Sequence, residues 1–187
     1  MTDLIDAIIK RTSEPRLIAP APSGEVLERV FECAARAPDH ALLRPWRYLV
    51  IEGEGRTALG ELFAQAADND ENPLPGKKEK LKNSPLRAPM IIVGIVRHTP
   101  HPKVPDIEQY ASAAVGLGYV LLALQSAGFG AMWRTGAVAY HPQVASGLGL
   151  TENESIAGFL YVGTVDSHKP EVPRADTAEF VSRWPNS

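Results

Sequence analysis

The run Pro89-Met90-Ile91-Ile92-Val93-Gly94-Ile95-Val96 limits the fold more than any other segment. It carries no polar side chain and is rich in β-branched residues. Such a run reads as a strand that is apolar on both faces, so it must lie at the centre of a sheet with a layer on each side. Shorter strands are predicted over 47–52, 131–135 and 158–162. Helices are predicted between them. Thr2 or Asp3 caps a first helix with Leu4, Ile5, Ala7, Ile8 and Ile9 on a broad apolar face; it runs out at Arg11-Thr12-Ser13 and must end by Glu14, because Pro15 disfavours helix before it. Ser23 caps a second, in which Val26, Leu27, Val30, Phe31, Ala34 and Ala37 keep helical spacing until Pro38. Further helices are expected over 56–67, over 106–128, and from Pro142 to about Gly147. The result is a small sheet between helices, within a single domain spanning 1–187. Residues after 164 read as an irregular tail.

Composition narrows the function. The 187 residues hold 19 Lys plus Arg against 22 Asp plus Glu, a net charge of −3. That balance argues against a general nucleic-acid binder, which needs a basic surface. The one cysteine, Cys33, excludes an intrachain disulfide framework and a cysteine-cluster zinc site, and suits a reduced cytoplasmic protein. Its place on the second helix predicts a small core residue. The N-terminal segment mixes charges among its apolar residues, unlike a secretory signal. Residues 111–129 approach membrane-spanning length. They are rich in Ala and Gly and include Ser112, Gln125 and Ser126, so a buried helix fits better than a membrane span.

Several chemical motifs are missing. No G-x-G-x-x-G follows a strand, which excludes a dedicated nicotinamide domain, and there is no P-loop, H-E-x-x-H or G-x-S-x-G. His98 and His101 read as a solvated loop rather than a metal site. His141, before Pro142, reads as a surface residue or a helix cap. Residues 68–84, with several prolines, acids and lysines, read as a surface excursion with a short helix over 77–82; a lid over a binding site is the alternative.

Three clusters carry more polar chemistry than their positions need. Arg11-Thr12-Ser13-Glu14-Pro15-Arg16 combines guanidinium forks and hydroxyls suited to a phosphate. Arg36-Ala37-Pro38-Asp39-His40 leads into Arg44-Pro45-Trp46-Arg47-Tyr48. Gly128-Phe129-Gly130 and Trp133-Arg134-Thr135-Gly136 bracket a short strand with glycines that permit close backbone approach. Together they suggest a bound anionic aromatic cofactor. These motifs, with Gly158-Phe159-Leu160-Tyr161-Val162-Gly163-Thr164, occur in an order that resembles the nitroreductase family, and within it the small YdjA-like FMN-dependent members.

That resemblance implies an α+β nitroreductase fold, with a mixed sheet of four to five strands flanked by helices, in an intertwined homodimer. Each FMN site would be built from both chains. The long helix would supply much of the interface, its Ala111, Ala114, Gly118 and Ala123 permitting close approach. By resemblance, Arg11, Thr12 and Ser13 contact the FMN phosphate and ribityl end, with Thr12 standing where the family commonly has a second arginine. Arg36, Pro38 and His40 reach the cofactor. Trp133, Arg134, Thr135 and Gly136 cover the flavin ring, with a backbone N–H of Thr135 or Gly136 near flavin N5. Leu124, Gln125, Ser126, Ala127 and Gly128 match the region linked to NAD(P)H. Lys169 and Arg174 are further phosphate candidates. The activity implied is hydride transfer from NADH or NADPH through flavin N5 to an electron-poor acceptor, by a ping-pong mechanism. No side chain acts as nucleophile or acid, and Arg134 or Arg36 stabilises the reduced ring. Non-catalytic FMN binding, storage or sensing is the alternative from another class. A non-flavin interaction module is a third.

Overall fold

A computed structural model describes residues 4–68, 75–168 and 172–185. The elements in chain order are α1 (Leu4–Lys10), β1 (Leu17–Ile18), α2 (Gly24–Ala34), β2 (Trp46–Glu52), α3 (Glu54–Asp68), α4 (Lys77–Lys82), β3 (Met90–Arg97), α5 (Asp106–Ser126), β4 (Gly130–Arg134), α6 (Pro142–Gly147) and β5 (Glu154–Val165), with short 3-10 turns between them. The sheet runs β1-β5-β3-β2, and β4 also pairs with β5.

The central strand is β3, as its composition requires. Met90 to Val96 are all buried. Strand alternation sends Ile91, Val93 and Ile95 to one side, where they pack with Leu59 and Phe63 of α3, Val144 of α6, and Phe159 and Tyr161 of β5. Met90, Ile92 and Val96 face the other side, against Val30 and Ala34 of α2 and Leu117, Val120 and Leu124 of α5. Two helical layers therefore cover the sheet. The β3–β5 register shifts between Gly94 and Ile95. The extra residue on β5 turns Ile156 to the same side as Phe159, which keeps both in the α3-side core.

Gly94 and Gly158 are direct register partners. A Cβ on Gly94 would lie 2.8 Å from a Leu117 methyl carbon, and one on Gly158 would lie 2.1 Å from Trp133 Nε1. The paired glycines thus make a hollow in the sheet. Leu117 of α5 and the indole of β4 fill it.

Some expectations need correction. Every strand pairing among the described residues is antiparallel rather than mixed. β3 and β4 do run the same way, joined through α5, but β5 lies between them. β1 was not anticipated, because two residues carry no readable period, and β5 extends well beyond 158–162 at both ends. Cys33 is exposed, on a groove it lines with Leu4 and Tyr119, and not in the core. Ser23 occupies the N-cap of α2 without a side-chain capping bond. The predicted caps Thr2 and Asp3, and residues 69–74 of the excursion, lie outside the described residues. The short helix over 77–82 forms as predicted, and His141 caps α6 by accepting from the Gln143 N–H at 3.2 Å. The histidines of the 98–105 loop are engaged within the fold. His98 Nε2 lies 3.1 Å from Ser155 Oγ, and His101 Nδ1 accepts from the Lys103 N–H. Buried Gln109 clamps the loop through both the N–H and the C=O of Thr99, each at 2.8 Å.

By length and composition α5 could cross a membrane. One face instead packs on the sheet through Leu117, Val120 and Leu124, each fully buried. α1 is apolar but unburied, with Leu4, Ile5, Ile8 and Ile9 all exposed.

Candidate active site

Two hollows adjoin the ends of β4. At its start is a cavity of about 470 Å3, lined by Lys10, Arg11 and Thr12 from the end of α1, Gln125 and Gly128 from the end of α5, Gly130 and Ala131, and His168 and Arg174 from the tail. Backbone pairing brings these distant segments together. Glu14 N–H donates to Ala131 C=O at 3.1 Å, and β1 pairs with the last residues of β5. The tail then returns, and Arg174 Nη2 donates to the Arg11 carbonyl at 2.8 Å. Glu14 is buried at the cavity wall, accepting from Thr12 Oγ1 at 2.6 Å, with His168 Nδ1 3.2 Å from the same oxygen. Lys10, Arg11 and Arg174 thus line a cavity whose wall carries one carboxylate, Glu14, while Lys10 Nζ also pairs with Asp6 at 3.7 Å. This donor set suits a phosphate.

At the far end of β4 is a hollow of about 330 Å3, lined by Arg134, Thr135 and Gly136 together with Lys80, Ser84 and Arg87, over a floor that includes Phe63, Phe159 and Tyr161. The Arg134 guanidinium lies 5.2 Å from the centroid of the Tyr161 ring. Its Nε is buried without a hydrogen-bond partner. Burial pushes the Tyr161 hydroxyl up from its ordinary value, against the opposing hydrogen bond with Ser84 and the nearby charges of Arg134 and Arg87. Gly128 and Gly136 stand at left-handed φ of 85° and 72°, and a Cβ on either would meet nothing within 4 Å. Both hollows therefore offer open backbone beside their cations.

The sequence profile of the nitroreductase family matches residues 9–164. The chain belongs to the nitroreductase family. YdjA of Escherichia coli (strain K12), provisionally named an NAD(P)H nitroreductase, is 40% identical over 165 residues, which cover 87% of this chain and 88% of that protein. The crystal structure of a nitroreductase-like family protein from Bacillus cereus matches with a TM-score of 0.87 at 24% identity, covering 100% of this chain and 98% of the other. A mutant of the FMN- and NADPH-dependent nitroreductase NfnB from sphigopyxis sp. strain HMH matches at a TM-score of 0.79 and 20% identity, covering 99% and 100%. At these identities the two structures establish the fold, a nitroreductase-like α+β fold with a five-stranded sheet flanked by helices.

The family-derived site residues fall into three places in this nitroreductase. Arg11, Thr12, Gln125, Gly128 and Arg174 share the first hollow; Arg134, Thr135 and Gly136 share the second. Arg36, Pro38 and His40 line neither. They stand at the exposed end of α2, where His40 Nδ1 lies 2.9 Å from Glu108 Oε2. The Asp39 carboxylate accepts from the N–H groups of Leu43 and Arg44 at 3.2 and 2.7 Å. It thereby holds a turn in which Ala41, Leu42 and Arg44 all take positive φ. Lys169 lies outside the described residues.

Other assignments change with the packing. Leu124 is fully buried between α5 and the sheet and presents no surface to a nucleotide. Gln125 Nε2 donates to the Ala7 carbonyl at 2.8 Å, tying α5 to α1. Ser126 and Ala127 line an apolar groove with Leu4, Ile8 and Val30 instead of the first hollow. Thr12 spends its hydroxyl on Glu14, and half-buried Ser13 is not part of the cavity wall. Trp133 packs across Gly158 on the α5 side of the sheet, whereas Arg134 faces Tyr161 on the other. Lys80, Arg87, Glu14 and His168 were missed as wall residues. Their only sequence signals were a lysine run, a cation before a strand, and polar residues at segment ends. None of these specifies a neighbour.

Proposed function

We propose that this chain is an FMN-dependent oxidoreductase that carries hydride from NAD(P)H to an electron-poor acceptor by a ping-pong route, as a homodimer with FMN sites shared between chains. The observation that carries the reading is the meeting of Arg11 and Arg174, from opposite ends of the sequence, on one cationic cavity beside β4. The residues present fit FMN. A cationic pocket suits its phosphate, and the open glycine at 136 and the unfilled Arg134 Nε suit a flat, polar ring system. FMN, when bound, supplies N5 as the hydride carrier.

The chain's own groups then have defined tasks. Arg11 and Arg174, with Lys10, neutralise the phosphate, and the backbone N–H groups of Thr135 and Gly136 are the candidate donors toward the ring. Arg134 supplies positive charge where negative charge develops. The open flank of Gly128, with Gln125, Ser126 and Ala127, is the remaining candidate for nicotinamide contact. With a nitroaromatic acceptor, NAD(P)H and one proton deliver two electrons and two protons in all. An N–O bond breaks, and the products are the nitroso compound, water and NAD(P)+.

The dimer is supported by what one chain leaves open. α1, α2 and α5 frame an apolar groove of about 670 Å3, lined by Leu4, Ile8, Val26 and Leu122, among others. Apolar surface on this scale is covered by a partner in obligate assemblies. A second copy would also give Arg36, Pro38 and His40 a site to reach, since they stand apart from both hollows of their own chain. A reducing, cytosolic setting suits a chain whose one cysteine is exposed.

Stopped-flow absorbance tests the reading. FMN-loaded protein is expected to bleach with NADH or NADPH and to recolour on addition of a nitroaromatic or quinone. FMN binding without bleaching by either nucleotide would leave only a storage or sensing role.

A further inference from the structure

We propose that FMN binding in the first hollow takes up a proton at His168, so that pH sets how firmly this chain holds its cofactor. The proposal rests on the FMN reading above and adds the regulation of that same site. It starts from Glu14, a carboxylate buried to 6% exposure in the wall of a cavity whose cations suit an anion. Gly130 makes room for it. A Cβ there would lie 3.2 Å from Glu14 Cβ and 2.5 Å from a Val165 methyl carbon. The Glu14 N–H bond to the Ala131 carbonyl, at 3.1 Å, and the Thr12 hydroxyl, at 2.6 Å, then hold the residue in place. A buried negative charge beside an anion site weakens binding unless another group offsets it.

The charges around the cavity identify that group. α1 supplies Lys10 and Arg11, and the tail supplies Arg174. Among the described lining residues, α5, β4 and β5 add only uncharged groups. Arg16 and Asp166, of opposite sign, flank the turn before His168 and do not line the cavity. Against the three cations stand Glu14, Asp6 at 3.7 Å from Lys10 Nζ, and the nearly two negative charges of a bound phosphate. The loaded cavity is therefore one positive charge short. Imidazole is the side chain that gains charge near neutral pH. His168 Nδ1 lies 3.2 Å from Glu14 Oε1, and its ring is 81% exposed, so solvent protons reach it. A protonated His168 donates to Glu14 and closes the deficit. Linkage fixes the sign. Phosphate favours the charged imidazole, so the charged imidazole favours phosphate by the same factor. This part of the affinity is present on the acid side and is lost as pH rises through the imidazole range. Solvent around the ring screens the coupling, which holds the expected effect to about fivefold.

The test is calorimetric titration with FMN at pH 7.5, in phosphate-free buffers of different ionisation enthalpy. Uptake of about half a proton per FMN is expected, with affinity weakening about fivefold from pH 7 to pH 8.5. Over that range the phosphate of free FMN is already ionised and adds little of its own. Riboflavin, which lacks the phosphate, should bind without uptake. Two substitutions should act in opposite directions, and both should abolish the uptake. His168→Gln, at an exposed position, is expected to lower the pH 7 affinity to the parent's level at pH 8.5. Glu14→Gln, which keeps an acceptor for Thr12, is expected to hold the pH 8.5 affinity at or above the parent's level at pH 7. FMN binding without proton uptake, or uptake unchanged in His168→Gln, overturns the proposal and leaves the FMN reading standing. Equal uptake with riboflavin overturns it as well. If neither flavin binds, the FMN reading itself fails and the proposal falls with it.

Discussion

Replacing Gly158 by alanine probes the packing that supports the candidate site. The added Cβ would lie 2.1 Å from Trp133 Nε1, 2.8 Å from Cδ1 and 3.0 Å from Cε2. Ordinary carbon contacts begin near about 3.5 Å, so the indole must retreat by more than about 1 Å. It cannot do so by rotating one end, because three atoms of a rigid ring are struck at once. The ring also packs against the α5-side core. Overpacking of this kind costs about 1–3 kcal/mol, and the rigid, multi-atom clash puts this site at about 3 kcal/mol. For a chain of this length that corresponds to about 6–12 °C in Tm. Gly94→Ala is the internal control. Its Cβ would strike only the methyl end of Leu117, at 2.8 and 3.0 Å, and a flexible tip can yield, so about 1 kcal/mol is expected. Urea unfolding followed by circular dichroism measures both, with an unchanged m-value required for the comparison. Adding Trp133→Leu to Gly158→Ala should recover part of the loss, giving a coupling of about 1 kcal/mol or more. If Gly158→Ala is as stable as the parent, or the double variant shows simple additivity, the indole does not rest on Gly158 and the reasoning fails.

Four further outcomes are expected. The Arg47 guanidinium forks onto Glu154 at 2.7 Å through both Nε and Nη2 and, against the effect of burial, holds that carboxyl at about 2 instead of 4.5. The lowered value stabilises the fold fully above the ordinary carboxylate range, and this stability is lost as pH falls from about 4.5 toward 2. Glu154→Gln should therefore cost about 2 kcal/mol at pH 7 and flatten the acid limb of the stability curve; an unchanged acid limb counts against the pair. Arg11→Ala removes a charged contact and should weaken FMN by about 1.5–3 kcal/mol in a fluorescence titration, whereas equal affinity removes Arg11 from the phosphate site. A Cβ on Gly118 meets nothing within 4 Å in one chain, so Gly118→Leu should fold well yet disrupt a dimer built on α5, and sedimentation showing an intact dimer would place the interface elsewhere. Gln109→Leu strips both hydrogen bonds from Thr99 and should cost about 1–3 kcal/mol while speeding exchange of the Thr99 amide; unaltered protection would show that another group holds the loop.

Much of the fold was legible because hydrophobic period is a local property. The unbroken apolar run at 89–96 identified the covered central strand, and the long Ala- and Gly-rich stretch identified α5. Proline sterics set only outer limits at Pro15 and Pro38; α1 ends earlier, at Lys10, and α2 at Ala34. The candidate site was only half legible. The motif at 11–16 pointed to a phosphate-like ligand, but not to Thr12 spending its hydroxyl on Glu14, nor to the return of Arg174 onto the Arg11 carbonyl. The lysine run at 77–82 gave no sign that Lys80 faces Arg134 while Lys82 reaches Glu61.

The amino-acid order by itself determined most of the strands and helices, the two-residue β1 excepted, and the burial of β3 on both faces, since side-chain pattern and backbone sterics act within a few residues. Tertiary structure alone decided register and neighbours. The bulge that turns Ile156, the glycine pair that admits Leu117 and Trp133, the inward Leu124 and the outward Cys33 all depend on which element lies alongside. That choice is made by close packing between segments far apart in the chain, to which local periodicity is blind.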